Sequence, residues 1–205
     1  MHTNLAIYGN GGHAREVAAQ MRTFLDKEGR DLRFYVDDGY VSGAAHPIST
    51  FDPAERSIMV AVADPLIRQR LVESLPPGTT FFTFIHPTAQ LFEADRIRIG
   101  EGSFIGAYSI LTTDIRIGRH AILNRGNHIG HDFRSGDYLS LMPGAIISGN
   151  VTVGDRLNLG TASAIREKRT LCDDVTIGMS SCVIQDIRTP GVYVGVPARR
   201  MEPMA

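Results

Sequence analysis

Cut into sixes, residues 99–134 read IGEGSF IGAYSI LTTDIR IGRHAI LNRGNH IGHDFR. Each block opens on Ile or Leu, and the rule continues without insertion to Val183. Fourteen of the fifteen opening positions are aliphatic, Ser135 being the exception, and glycine follows eight of them. Four places after the opener the residue is Ser, Ala or apolar in thirteen of fifteen blocks, with Asn127 and Arg169 as exceptions. A period of six matches neither the 3.6-residue turn of an amphipathic helix nor the alternation of a long strand. It fits very short strands joined by tight turns, with one aliphatic and one small side chain directed inward on each face. That is a parallel β-helix of hexapeptide repeats. At three faces per coil, fifteen hexads predict about five coils.

Upstream a different rule holds. Residues 1–85 alternate apolar runs with helical stretches: LAIYG, RFYVDD, SIMVAVAD and TFFTFI read as strands, and HAREVAAQMRTFL as a helix with Val17, Met21 and Leu25 on one side. Strand–helix–strand alternation predicts a small Rossmann-like parallel sheet. Pro87, in HPTA, breaks the last run, so the expected organisation is an α/β domain over 1–85 and an all-β β-helix over 86–205.

Composition narrows the function. A formal charge of −1 offers no basic field for nucleic acid. No apolar run approaches the ~20 residues of a membrane span. The N-terminus runs straight into a strand and glycine loop, unlike a signal peptide. The two cysteines, Cys172 and Cys182, read as reduced thiols in a cytoplasmic protein.

GNGGHA (9–14) follows a strand and opens a helix, where backbone N–H groups and the helix dipole favour a phosphate. Gly11, Gly12 and His13 lie in this loop. Asp37 and Asp38, after the second strand, stand where a ribose-binding acid would be. An NAD-binding oxidoreductase is therefore one reading. A sheet of only four strands instead suits a mononucleotide diphosphate, such as one end of a nucleotide sugar. Arg68 is expected to be a solvated helix arginine or a phosphate contact.

The hexad rule falters on either side of His131, at Asn127 and Ser135. A local failure in a consistent pattern is where a functional site is expected. Histidine suits the role of a general base near neutral pH. Asp132 is the candidate to orient it, although strand neighbours face opposite ways and the pair works only at a turn. Asp114 and Asp137 are alternatives. His120 reads as a surface histidine and His128 as a pocket-lining one. A zinc site built on His120, His128 and His131 is disfavoured, because residues three apart do not share a face of this repeat. Arg199 and Arg200, near the end of the chain, are candidates for charge-assisted contact with a phosphate.

The ordered landmarks GNGGHAREV, VDDG, IHPTA, NRGNHIGHD, LMPGAIISGNVTVG, IGMSSCVIQDI and VGVPAR cover nearly the whole chain. In these the chain resembles the sialic acid O-acetyltransferase and bacillosamine N-acetyltransferase (NeuD/PglD) type of sugar acyltransferase. The resemblance implies a left-handed β-helix, acetyl-CoA as co-substrate, a nucleotide-sugar acceptor, no metal, and a homotrimer with active sites between subunits. It implies His131 and Asp132 as the catalytic pair and Asn124 near the acceptor, with Gly11, Gly12, His13, Asp37 and Asp38 on the nucleotide sugar. Gly144, Gly160, Ala162 and Gly178 are implied as positions of close approach to the acyl donor. Where relatives often carry a second histidine near the thioester, this chain has Ser140. N-acetylation of a nucleotide-linked amino sugar is the expected reaction, with O-acetylation of a sugar as the alternative.

Overall fold

The computed structural model describes residues 4–202. The N-terminal sheet comprises β1 (Leu5–Tyr8), β2 (Leu32–Val36), β3 (His46–Pro47) and β4 (Ser57–Val60), parallel throughout, in the order β3-β2-β1-β4. Alternation along the strands buries both faces. Leu5, Ile7 and Met59 meet helix α1 (Gly12–Leu25), whereas Ala6, Tyr8, Ile58 and Val60 face Leu71 and Val72 of helix α2 (Pro65–Glu73). Helix α1 turns Ala14, Val17, Ala18, Met21 and Leu25 inward, the predicted stripe. Helix α2 starts on Asp64, whose Oδ1 accepts from the Ile67 N–H at 2.9 Å, and Pro65 fills the first turn, where no amide is needed.

The fourth expected strand does not join this sheet. Phe81 makes only an isolated bridge to Ile58, and Phe84–Ile85 pairs with Phe104–Ile105. The run is therefore the first rung of the β-helix. That moves the start of the solenoid upstream of Ile99 and adds a coil to the five expected. Between the rungs at Gln90–Leu91 and Arg98–Ile99 a short 3₁₀ turn, Ala94–Arg96, interrupts the six-residue spacing, which hides this coil from the repeat.

The β-helix has three flat parallel sheets. Rungs stack at an interval of 18 residues: Ile105 on Leu123 on Leu141 on Leu159, and Leu111 on Ile129 on Ile147 on Ile165. Openers and fourth-place residues fill one continuous core, including Phe133, Leu139, Val151 and Leu157. Asn127 belongs to that interior. It is fully buried, its Nδ2 donates to the Asn124 carbonyl, and its Oδ1 accepts from Ala145 N at 3.0 Å on the next coil. This exception to the hexad rule is a satisfied rung-to-rung bridge.

Corners are tight. From Gly102 to Ser180 every sixth residue has φ between 54° and 70°, and eleven of these are not glycine, Tyr108, Ala162 and Lys168 among them. Left-handed backbone disfavours an L side chain by roughly 1–2 kcal/mol. The stacked ladder over-determines these corners.

The three outer faces differ. One shows Arg98, Arg116 and Arg134, then Thr152 and Thr170. The second carries Phe104, Ile122 and Ser140 and lies under the N-terminal domain, so that Phe104 and Ile122 join the α1 core. The third presents Ile110, His128, Ile146 and Ala164 and is uncovered.

Fully buried Arg68 locks the domains together. Its Nε donates to His120 O at 2.9 Å, Nη1 to Val62 O at 2.6 Å and Ala63 O at 3.1 Å, and Nη2 to Tyr138 O at 2.7 Å and Ser140 Oγ at 2.9 Å. It is thus neither solvated nor open to a phosphate. Burial lowers its pKa to about 9.

Candidate active site

His131 and Asp132 occupy the corner between the third and the arginine-bearing face. Gly130 precedes them because a Cβ there would press on Gly149 N at 2.7 Å. Asp132 takes the left-handed position, φ 59°, and its N–H donates to Thr113 O. That turn supplies what a strand would not: both side chains point the same way, and His131 Nδ1 lies 2.8 Å from Asp132 Oδ2. The pair is exposed, with the imidazole 57% accessible. With Nδ1 held by the carboxylate, Nε2 is the atom left to exchange a proton with a ligand. The alternative acids are engaged elsewhere, Asp114 by both Nε and Nη2 of Arg96 and Asp137 by Arg119.

Gly149, one coil on, was not singled out by the sequence. A Cβ on it would overlap the His131 ring, with Cε1 at 2.6 Å. The imidazole therefore lies against a bare backbone, which sets its direction. The eighteen-residue spacing from His131 to Gly149 was the signal available.

His120 is not a surface residue. It is 2% exposed, stacked on Tyr138 at 5.3 Å and edge-on to Phe81 at 4.6 Å. Burial, with the charges of Arg119 and Arg68, pushes its pKa down to about 4. His128 is exposed on the third face, beside a shallow groove with Ile110, Thr112 and Ile146. Among the described residues no three His, Cys, Asp or Glu side chains gather as a metal site.

The acceptor candidate Asn124 and the donor candidates Gly144, Gly160, Ala162 and Gly178 all lie along one corner, between the covered and the third face, in two adjacent columns: Asn124, Gly160 and Gly178 in one, Gly144 and Ala162 in the other. Two of the glycines have a structural reason. A Cβ at Gly160 would meet Met179 N at 2.6 Å and one at Gly178 would meet Val194 Cγ1 at 2.8 Å. Gly144 (φ 70°) and Ala162 (φ 55°) are left-handed corners. Asn124 is buried and its Oδ1 accepts from Arg125 N at 2.7 Å. Ser140 does not join this corner. It is fully buried, its hydroxyl donates to Ala63 O at 2.7 Å and it receives Arg68, so no thioester reaches it. Arg199 is exposed on a terminal antiparallel rung beside Val194.

In the N-terminal domain a cleft of about 410 Å³ opens at the carboxyl ends of β1, β2 and β4, lined by Gly9, Asn10, Gly11, Asp37, Tyr40 and Ser42 among others. This is where an open α/β sheet binds ligands. No side chain caps α1, so its first amides remain available to an anion. A Cβ on Gly11 or Gly12 would meet no protein atom within 4 Å. Asp37 accepts from the Tyr8 phenol, whose pKa rises through burial and the nearby carboxylate. Three expected contacts fall outside the cleft lining: Gly12, the first residue of α1; Asp38, which accepts from Ser49 N at 3.1 Å; and His13, which points inward, its Nε2 buried without a partner and its pKa pushed down to about 4 by burial and Arg68.

Residues 4–75 match the PglD N-terminal domain family. No curated protein matches the chain. Among solved structures, a histidine-to-asparagine mutant of perosamine N-acetyltransferase from Caulobacter crescentus, in complex with CoA and GDP-perosamine, aligns at 26% identity over 97% of both chains, with a TM-score of 0.85. WeeI from Acinetobacter baumannii aligns at 26% identity over 96% of this chain and 99% of its own, TM-score 0.83. The acetyltransferase domain of PglB from Neisseria gonorrhoeae aligns at 25% over 98% and 100%, TM-score 0.78. The chain thus carries the PglD N-terminal domain at residues 4–75 and is similar along its whole length to these solved structures, acetyltransferases among them.

Proposed function

We propose that the chain is an acetyl-CoA-dependent N-acetyltransferase acting on the amino group of a nucleotide-linked amino sugar. The observation that carries this reading is the His131–Asp132 pair at an exposed corner, with Nδ1 held at 2.8 Å and Nε2 without a protein partner among the described residues. The sugar amine attacks the thioester carbonyl carbon, forming the C–N bond. His131 Nε2 takes the proton from the amine nitrogen, the C–S bond breaks, and the imidazolium returns the proton to the departing sulfur, so that the coenzyme leaves as the thiol. Asp132 fixes the tautomer and stabilises the imidazolium. The uncapped start of α1, with Gly11 and Gly12, takes the diphosphate, and Asp37 takes the ribose. The donor lies along the corner that carries Gly144, Gly160, Ala162 and Gly178, with Arg199 toward its phosphates. The solved relative bound to CoA and GDP-perosamine supports both substrate classes.

The N-terminal domain covers one face, while His131 sits at the opposite corner of the triangular coil. One chain thus separates its nucleotide cleft from its base. We infer a homotrimer in which a neighbour's nucleotide domain reaches His131. The uncovered third face, with Ile110 and with Ile146 46% exposed, adjoins that corner and suits the contact. No described helix is long and apolar enough to cross a membrane. Cys172 and Cys182 are free thiols, in keeping with a cytoplasmic setting.

The test is release of free CoA against a panel of UDP-, dTDP- and GDP-linked amino sugars. Turnover is expected with at least one amine acceptor. Turnover with hydroxyl acceptors alone would establish O-acetylation instead.

A further inference from the structure

The arginine-bearing face carries a feature that acetyl transfer does not use. Arg98, Arg116 and Arg134 are direct lateral neighbours on three successive rungs. Rungs lie ~4.8 Å apart, and like charges placed opposite one another across a parallel pair destabilise it. On the next two rungs the same column is Thr152 and Thr170, so the repeat does not demand arginine there.

The three arginines line a cleft of about 260 Å³ together with Asp95, Arg96, Asp114 and Asp132. Two of its three carboxylates are already engaged. Asp114 takes Arg96 at 2.7 and 2.9 Å, and Asp132 takes His131 at 2.8 Å. Arg98 Nη1 donates to Asp95 O at 2.6 Å and Ile97 O at 3.1 Å. The guanidiniums of Arg116 and Arg134 make no hydrogen bond or ion pair with any described residue, and that of Arg134 acts only at longer range, helping to lower the Asp114 pKa. Two exposed guanidiniums therefore stand side by side, with their fork donors unclaimed.

We propose that Arg116 and Arg134, with Arg98 at the edge, form a binding strip for a phosphate-bearing ligand on the face adjoining His131. One guanidinium fork satisfies a planar carboxylate. A tetrahedral phosphate has enough oxygens to bridge two forks on neighbouring rungs, and a diphosphate reaches the third. Such a ligand neutralises the repulsion along the column. The strip lies on a different side of the coil from both the nucleotide cleft and the glycine-bearing corner, and it stands whether or not the chain transfers acetyl groups.

The probe is inorganic diphosphate, titrated calorimetrically into the full-length protein at low and moderate salt. A double variant, Arg116→Gln with Arg134→Gln, is expected to weaken one diphosphate-binding event at least tenfold. Arg166→Gln, at an exposed arginine paired with Glu167, leaves it unchanged. Without anion, the double variant should melt no lower than the parent, since it removes repulsion. Displacement of diphosphate by CoA identifies the strip's phosphate as the donor's, and displacement by a nucleoside diphosphate as the acceptor's. Displacement by neither leaves a free oxyanion as the occupant. Equal affinity in parent and double variant, or no diphosphate binding by the parent, would overturn the proposal. Failure of the acetyl-transfer reading alone leaves this titration unaffected.

Discussion

Two corners of the β-helix, GRHA at 118–121 and GHDF at 130–133, look alike in sequence and differ in every physical respect. Each places a histidine just after a glycine in a tight turn. His120 lies in the seam beneath the N-terminal domain, stacked on Tyr138 and edge-on to Phe81, with the Arg68 guanidinium on its carbonyl and its Nδ1 left without a partner. His131 lies at the corner farthest from that domain, open to solvent, with its Nδ1 on a carboxylate. The repeat builds both corners, and what covers them decides their chemistry. A histidine buried under a domain is disposed to stay neutral and packed, whereas an exposed one held by a carboxylate can cycle a proton.

The sharpest way to break this contrast is to remove each histidine's defining partner. His131→Ala should lower kcat by ~10²–10⁴-fold with little change in melting temperature, since the side chain is exposed. A loss below tenfold would remove it as the base. At the covered corner, Arg68→Ala should leave several carbonyls buried without a donor and cost about 3–5 kcal/mol in denaturant unfolding. If that variant is instead as stable as the parent, the seam does not depend on the arginine. Between the two, Gly149→Ala should push the His131 ring aside and reduce kcat by on the order of 10²-fold, with the fold intact by circular dichroism. An unchanged kcat would mean the ring finds its place without the bare backbone.

Acid should act on the covered corner first. His13 and His120, held neutral with pKa values pushed down to about 4, bind fewer protons when folded than when unfolded at a reference value near ~6.5. Their contribution is therefore present above that value and is lost as pH falls from about 6.5 toward about 4. The loss should be on the order of a few kcal/mol, measured by denaturant melts at pH 7, 5.5 and 4.5, and His120→Asn should flatten the slope. Smallest is the corner backbone itself. Lys168→Gly relieves a left-handed lysine (φ 57°) and should stabilise by no more than about 1 kcal/mol, because the gain at the corner is partly offset by the greater freedom of glycine in the unfolded chain.

Residues 99–183 carry their own structure in the order of their letters. The openers and fourth residues are buried where the period put them, apart from half-buried Ile99, Ser135 and Arg169, and Gly130 and Gly160 stand where a neighbouring coil allows no Cβ. This works because each rung meets only the rungs directly above and below it, at a constant eighteen residues, so a local pattern implies the distant contact. The His131–Asp132 candidate was legible for the same reason: it interrupts a pattern strong enough for an interruption to be seen. Asn127 interrupts it too, yet it is a rung-to-rung bridge within the core. A departure from the repeat marks a special residue without saying which kind.

Other features needed the tertiary fold. That Phe84–Ile85 is a rung of the β-helix depends on pairing across a short irregular turn. That Arg68 is buried and Ser140 closed off depends on which face the N-terminal domain covers. The separation of the N-terminal cleft from His131 depends on the same choice. None of these has a period. Each arises from packing between parts of the chain tens of residues apart, where burial and hydrogen bonding are set by the whole surface and not by neighbouring letters. The sequence by itself determined the β-helix, the α/β domain before it and the turn that holds the histidine. The tertiary structure alone decided which histidine is buried and which faces solvent, because exposure belongs to the assembled surface.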